Sequence, residues 1–323
     1  MHALHAFFHV DLSPSIYVDS ASRENLTLAA LKDGARLAAY FAATIFIGAL
    51  LAPLLFWTAQ WLMAHGFFLF LAKFDFETFF HRAILVAAAV LLWPFLRLSH
   101  VRSMADLRLT PNPRWAHDLF AGILLSTIPL LCCGAFLIAL RIYAVRHNIA
   151  WTAFGKIVAA SIAVPAIEET FFRGVILGVL LRTGRQYMSI FATSAIFSVI
   201  HFLKAPEQTS AIVTWTSGVN SVAHSFARFG DPMLVIAMFT TLFFIGWILA
   251  DARVCTRSLW LAIGLHAGWI FASGAFNRVA HRQILALPWV GKNLLVGIVP
   301  LGVAGLTWMI MRTWLKYDRV PKV

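Results

Sequence analysis

The chain has 323 residues, of which 60% are hydrophobic and only 12% are charged, and its mean hydropathy is +0.79. A soluble globular protein carries about 25% charged residues, so this composition excludes a soluble enzyme, a disordered regulator and a nucleic-acid-binding protein. The formal net charge of +12 fits basic loops between membrane spans. The sequence therefore predicts a polytopic membrane protein.

Hydrophobic runs predict an all-α transmembrane helix bundle of about eight spans. A helix needs about 20 apolar residues to cross the hydrocarbon, and the candidate runs are residues 37–62, 84–96, 119–140, 157–181, 188–203, 233–250, 259–276 and 294–311. We divide the chain accordingly, into a tail, three N-terminal spans, a central region and a last span with a basic tail: residues 1–36, 37–140, 150–277 and 293–323.

The basic residues predict the orientation of the bundle. With eight spans, one side of the membrane receives both termini and 15 of the 26 Lys and Arg residues, and the other side receives 10. Because basic loops are retained in the cytoplasm, we expect both termini to be cytoplasmic.

The fourth predicted span is exceptional because it contains three ionisable residues, Glu168, Glu169 and Arg173. Each would cost about 2.5–3.5 kcal/mol at the bilayer centre on insertion scales, so we expect all three inside the bundle, facing protein or water. Glu169 and Arg173 are four residues apart, which predicts a bidentate pair on one helix face. Glu168 points about 100° away and is left free for chemistry.

Two further spans each bring a histidine toward membrane depth, His201 in the fifth and His266 in the seventh. A carboxylate with two imidazoles can bind a metal ion or activate a water molecule. A single intramembrane histidine is often only a helix–helix hydrogen-bonding residue, and the Glu169–Arg173 pair is more readily structural than catalytic. A free carboxylate in an apolar helix, in contrast, has no packing use, and this makes Glu168 the strongest indication of a functional site.

Three motifs carry a family resemblance. EETFFR runs from Glu168 to Arg173, FSVIH runs from Phe197 to His201, and SLW precedes His266. In this order and at these separations they resemble the CAAX prenyl protease 2 / bacterial CPBP (Abi) family of intramembrane endopeptidases, over about residues 157–276.

The resemblance implies that residues 150–277 form a catalytic core that hydrolyses a peptide bond in a membrane-associated protein or peptide. Glu168 would then activate the attacking water with the help of His201, while His266 stabilises the tetrahedral intermediate. Glu169, Arg173 and Phe197 would support them. The family usually places Asn or Asp four residues after the last histidine, where this chain has Ile270.

The expected partners are the lipid bilayer and a protein or peptide substrate, without nucleic acid, and the expected location is the bacterial inner membrane. We expect no cofactor and no metal. Zinc held by Glu168, His201 and His266 is the alternative, and it is disfavoured by the lack of an HExxH motif and of an evident carboxylate behind either histidine.

Two other classes of protein stay open. A transporter also uses buried Glu, His and Arg residues near the midplane, but it would normally show two similar halves, and no internal repeat is visible. A catalytically silent membrane scaffold of the same family is favoured by Ile270.

Overall fold

The structure is a computed structural model that describes residues 20–149, 151–202, 212–284, 287–291 and 293–318. The two chain termini, whose predicted location is cytoplasmic, lie outside these residues. So does the start of the connection between the fifth and sixth predicted spans.

The described chain is mainly helical. Its helices are α1 Ser20–Ala64, α2 Phe76–Leu98, α3 Trp115–Ala139, α4 Phe154–Glu169, α5 Leu177–Leu181, α6 Gln186–Phe202, α7 Ser217–Ser225, α8 Pro232–Leu234, α9 Thr240–Thr256, α10 Trp260–Val279 and α11 Ile298–Asp318. Two π-helical segments join consecutive helices, Thr170–Ile176 between α4 and α5 and Val235–Phe239 between α8 and α9. Short 3-10 turns occupy Leu69–Lys73, Ala105–Leu107, Trp151–Ala153 and Phe226–Gly230.

Two short strands complete the described architecture. β1 (Tyr143–Val145) follows α3, and β2 (Ala280–Arg282) follows α10. They pair antiparallel, with Tyr143 opposite Arg282. The pairing fixes the C-terminal ends of α3 and α10 side by side.

The all-α membrane bundle is confirmed, whereas the number of eight spans stays a prediction. Five segments are long and apolar enough to cross a membrane: Leu31–Ala64, Phe76–Leu98, Trp115–Ala139, Pro232–Thr256 and Ile298–Asp318. The other three predicted spans are helical as well, but α6 is only 17 residues long and the helix through α4 and α5 carries the charged residues of the EETFFR motif.

Two helices begin earlier than hydropathy indicates. α1 begins at Ser20, so residues 20–36, assigned to the tail, are helical. α2 begins at Phe76 because Asp75 caps it: the Asp75 carboxylate accepts hydrogen bonds from the Thr78 amide (3.0 Å) and hydroxyl (2.7 Å). A cap of this kind satisfies amide groups that a helix start leaves unpaired, and hydropathy does not detect it.

Polar contacts tie the connections at one end of the bundle. Arg114 before α3 pairs with Asp318 at the end of α11 (2.6 Å), and the Thr110 amide donates to the Arg257 carbonyl (3.0 Å). Arg182 after α5 donates to the carbonyl of Ser99 after α2 (2.6 Å). The connections after α2, α5 and α9 and the end of α11 therefore lie at the same end.

Helix α10 lies at the centre of the bundle and packs closely against α3. A Cβ atom added at Gly264 would overlap the Leu119 carbonyl oxygen, and one added at Gly268 would overlap the Ser126 hydroxyl. Close backbone approach of this kind is how small residues join membrane helices. It holds the helix that carries His266 in a fixed position against α3.

Candidate active site

The three residues predicted to be catalytic come together where α4, α6 and α10 meet. Glu168 lies in the last turn of α4, His201 in the last turn of α6, and His266 in the second turn of α10. The Glu168 Oε2 atom lies 3.2 Å from His201 Nε2 and 3.9 Å from His266 Nε2. One carboxylate oxygen thus faces both imidazoles.

The hydrogen bond on the far side of His201 determines its tautomer. His201 Nδ1 lies 2.9 Å from the Phe197 carbonyl oxygen, which can only accept, so Nδ1 carries a proton. In a neutral ring Nε2 would then be an acceptor facing another acceptor, Glu168 Oε2, at 3.2 Å. The separation of these two atoms allows them to share one proton, which suits the pair to proton transfer.

His266 is oriented by a carboxylate. Its Nδ1 lies 2.8 Å from Glu169 Oε1, so Nδ1 donates and Nε2 is directed toward Glu168. A carboxylate behind an imidazole fixes the tautomer of the ring and stabilises its protonated form. The expectation that neither histidine has such a carboxylate is therefore wrong for His266, and that argument against zinc falls away.

Glu169 and Arg173 form the predicted ion pair, but the bidentate geometry expected for it is wrong. Arg173 Nη1 contacts only Glu169 Oε1 (3.0 Å), the oxygen that His266 also uses, and Glu169 Oε2 has no hydrogen-bond partner among the described residues. The π-helical segment from Thr170 changes the angular offset on which the prediction depended. Arg173 Nη2 instead donates to the Gly246 carbonyl of α9 (3.2 Å).

Burial separates the site into a sealed part and an open part. The side chains of Glu169 and Arg173 are 0% exposed, whereas those of Glu168 and His201 are 26% and 27% exposed. Two charges buried together are tolerated because they are paired. The open carboxylate beside them can be reached by water and by a substrate.

Phe197 contacts both parts of the site, in line with the supporting position predicted for it. Its ring centroid lies 4.3 Å from the Arg173 guanidinium carbon and 4.1 Å from the His201 ring. The first contact is a cation–π interaction. Phe197 therefore holds the buried cation and the exposed imidazole at a fixed separation.

Sequence reasoning missed Arg253, which falls between the predicted spans 233–250 and 259–276. It lies in α9 and is 1% exposed. Its Nε donates to the Arg173 carbonyl (3.2 Å), and its Nη2 donates to the Leu107 carbonyl. Its proximity in sequence to Arg257 made it resemble a loop residue, and no sequence signal distinguishes it. Arg253 fixes the π-helical segment on which the site is built.

Ile270 follows His266 by four residues on α10 and is half-buried. Its aliphatic side chain offers no hydrogen-bond donor there. Asn277 lies near the end of the same helix, about two turns further on. Having Ile270 where the family usually has Asn or Asp therefore removes a polar side chain from this position of α10.

Within the described residues, no group of three or more His, Cys, Asp and Glu side chains is arranged to hold a metal ion. The zinc alternative and the metal-free expectation both stay untested predictions, and the donor atoms point toward proton transfer. A carboxylate and two imidazoles thus meet inside an apolar helix bundle.

Comparison with known proteins finds a family that part of the chain resembles. Residues 149–272 match the family model described as type II CAAX prenyl endopeptidase Rce1-like. The match contains all the predicted site residues, and the resemblance inferred from the three motifs is thereby confirmed for this region. No curated protein and no solved structure matches the chain.

Proposed function

We propose that this chain is an intramembrane endopeptidase with Glu168 as the general base. The observation that carries the proposal is the position of Glu168 Oε2, which lies within 3.9 Å of both imidazoles on a side chain that is 26% exposed. The Rce1-like match supports peptidase chemistry in general. A peptide hydrolase needs a base, a water and a donor for the oxyanion, and these three residues can provide them.

As the base, Glu168 reacts in its ionised form, beside His201. A water bound beside Glu168 loses a proton to Oε2, and its oxygen attacks the carbonyl carbon of the scissile bond. The C=O electron pair moves to the oxygen, which becomes an oxyanion. The proton then passes from Glu168 to the amine nitrogen, the oxyanion electron pair re-forms the C=O bond, the C–N bond breaks, and a carboxylic acid and an amine are released.

His266 stabilises the oxyanion through Nε2–H when its ring is protonated. Glu169, 2.8 Å from Nδ1, stabilises that protonated ring, and Arg173 balances the charge of Glu169. A preorganised donor in a water-poor site is worth about 2.7–4 kcal/mol in known enzymes. The sealed part of the site therefore acts on the reaction only through His266.

The proposed substrate is a membrane-associated protein or peptide, cleaved in the bacterial inner membrane, and both termini of the enzyme are proposed to be cytoplasmic. The bias of 15 against 10 basic residues supports this orientation. A proteomic comparison of membranes containing either the wild-type chain or its Glu168→Gln variant identifies the substrate as a protein that is shortened only by the wild type. A complete absence of such differences would contradict the proposal.

We expect Ile270→Asn to raise the rate of cleavage by about tenfold or more. The amide would supply a second donor one helical turn from His266, and one donor to an oxyanion contributes up to about 10²–10³ in kcat. The rate is measured on the identified substrate in vesicles, with Ile270→Leu as the matched control. An unchanged or lower rate for Ile270→Asn would show that the enzyme does not use this position.

The metal-free and zinc mechanisms are separated by chelation. We expect full activity after dialysis against a strong chelator, and less than one zinc per chain by elemental analysis of the purified protein. If activity falls and added zinc restores it, Glu168, His201 and His266 hold a metal and the proposed role of Glu168 as base is wrong.

A catalytically silent scaffold is the second candidate, and Ile270 favours it. For a scaffold, Glu168→Gln would leave the cellular phenotype unchanged, since recognition of a partner does not require a base. For the proposed enzyme, the same variant behaves like a deletion. A complementation experiment distinguishes the two.

A further inference from the structure

The strands β1 and β2 join two stretches of the chain that contain no acidic residue. The protein has 14 Asp and Glu residues, and none of them falls within residues 119–167 or 252–317. The basic residues of these stretches that flank the strands are Arg141, Arg146, Arg278 and Arg282. The sequence alone leaves these four arginines without a neighbouring counter-charge.

The strand pairing brings these arginines to one end of the bundle. The Arg146 amide donates to the Val279 carbonyl (2.8 Å), next to Arg278, and Arg282 lies opposite Tyr143, two residues from Arg141. Like charges in close proximity raise each other's electrostatic free energy unless an anion lies among them. This end of the bundle therefore favours an anionic ligand.

At the opposite end of the bundle, arginines pair with carboxylates. There Arg114 pairs with Asp318 (2.6 Å) and Arg36 with Asp33 (2.9 Å). Among the ion pairs of the described residues, none includes an arginine of the strand end. In addition, the buried Nη1 atom of Arg282 has no hydrogen-bond acceptor among the described residues.

A shallow groove of about 590 Å³ lies beside the strands, and we call it the strand groove. Arg141 and Gln283 give it hydrogen-bond donors, while Ile138, Val145 and Ile284 give it aliphatic walls. Val145 and Ile284 are each more than half exposed. A groove with both hydrogen-bond donors and aliphatic walls fits a ligand that has an anionic head and an apolar chain.

The strand groove lies at the level where a membrane presents such ligands. It follows the C-terminal ends of α3 and α10, and two tryptophans of neighbouring segments, Trp151 and Trp289, are 67% and 59% exposed. Exposed tryptophan is typical of the interface between hydrocarbon and headgroups, and basic pockets at this level bind anionic headgroups.

We infer that the strand groove binds an anionic phospholipid, with Arg141 contacting the phosphate and the aliphatic walls contacting an acyl chain. Arg282, which lies opposite the groove residue Tyr143, adds positive charge beside the phosphate. The site is separate from Glu168 and does not depend on the proposed peptidase activity. The lipid neutralises the arginines that the protein leaves unpaired.

Native mass spectrometry of the full chain in detergent tests the inference, with phosphatidylglycerol and phosphatidylcholine as probes. We expect the wild type to retain one phosphatidylglycerol at least about tenfold more tightly than phosphatidylcholine. Both lipids carry a phosphate, but the ammonium group of phosphatidylcholine cancels its charge and repels the arginines, and about 1.4 kcal/mol gives that factor. Arg141→Gln with Arg282→Gln should abolish the preference. Arg185→Gln, an exposed arginine at the opposite end, should keep it.

Equal retention of the two lipids by the wild type would overturn the inference, and so would an unchanged preference in the double variant. Millimolar inorganic phosphate is added in a separate arm. If phosphate alone displaces the lipid, the groove is a site for a small anion and the lipid assignment is wrong. Should the double variant not fold, the single Arg141→Gln variant replaces it, since this side chain is exposed.

Discussion

Glu168→Gln is expected to lower the rate of peptide cleavage by about 10²–10⁴-fold, the usual contribution of a general base. The substitution keeps the shape of the side chain and removes only its ability to accept a proton from water. The exposed fraction of 26% means that the neutral amide can be hydrated, so folding should be little affected. The rate is measured in vesicles with the substrate identified by proteomics.

The matched control for this experiment is Asp318→Asn, which removes a carboxylate at the end of α11, where Asp318 pairs with Arg114. It should leave the cleavage rate within about twofold of the wild type, since surface ion pairs contribute little. If Glu168→Gln cleaves as fast as the wild type, Glu168 is not the base and the endopeptidase proposal fails.

Glu169→Gln is expected to destabilise the fold by about 3–5 kcal/mol, the usual cost of leaving a fully buried charge without its partner. Arg173 is 0% exposed, and Glu169 is the only carboxylate within ion-pair distance of it among the described residues. The same substitution replaces the charged acceptor of His266 Nδ1 with a neutral amide oxygen. The free energy of unfolding is measured by denaturant titration in micelles.

The double variant Glu169→Gln with Arg173→Met separates the two functions of Glu169. Removing both charges should recover most of the free energy of unfolding, while cleavage should stay low because His266 is still without its carboxylate. If the double variant regains both stability and activity, Glu169 has only a structural function and its proposed action through His266 is wrong.

The residues that meet in the site could be predicted because polar side chains in apolar helices are conspicuous. Glu168, His201 and His266 stand out against lipid-compatible neighbours, and their motifs indicate a common site. The finer arrangement could not be predicted. A π-helical segment leaves no clear pattern in the sequence, so the single contact between Glu169 and Arg173 was expected to be bidentate.

Other features depend on tertiary contacts that no local pattern encodes. Arg253 lies in a short charged stretch that looks like a loop in the sequence. It is nevertheless buried, because its guanidinium donates to two backbone carbonyls from distant segments. The start of α2 depends on a single hydrogen-bonded carboxylate, Asp75. The all-α class could be predicted because long apolar runs are typical of membrane helices, whereas the starts of α1 and α2 could not, and the number of eight spans stays a prediction.

The close packing of α10 on α3 bears on how this protein can be divided experimentally. The family match begins at residue 149, after the end of α3, yet Gly264 and Gly268 inside the match are shaped to fit the α3 backbone. A truncated version limited to residues 149–272 would lack α3. The α10 backbone at Gly264 and Gly268 would then be exposed. The region matched by the family model is therefore shorter than the region needed for folding. A minimal recombinant version should retain α3.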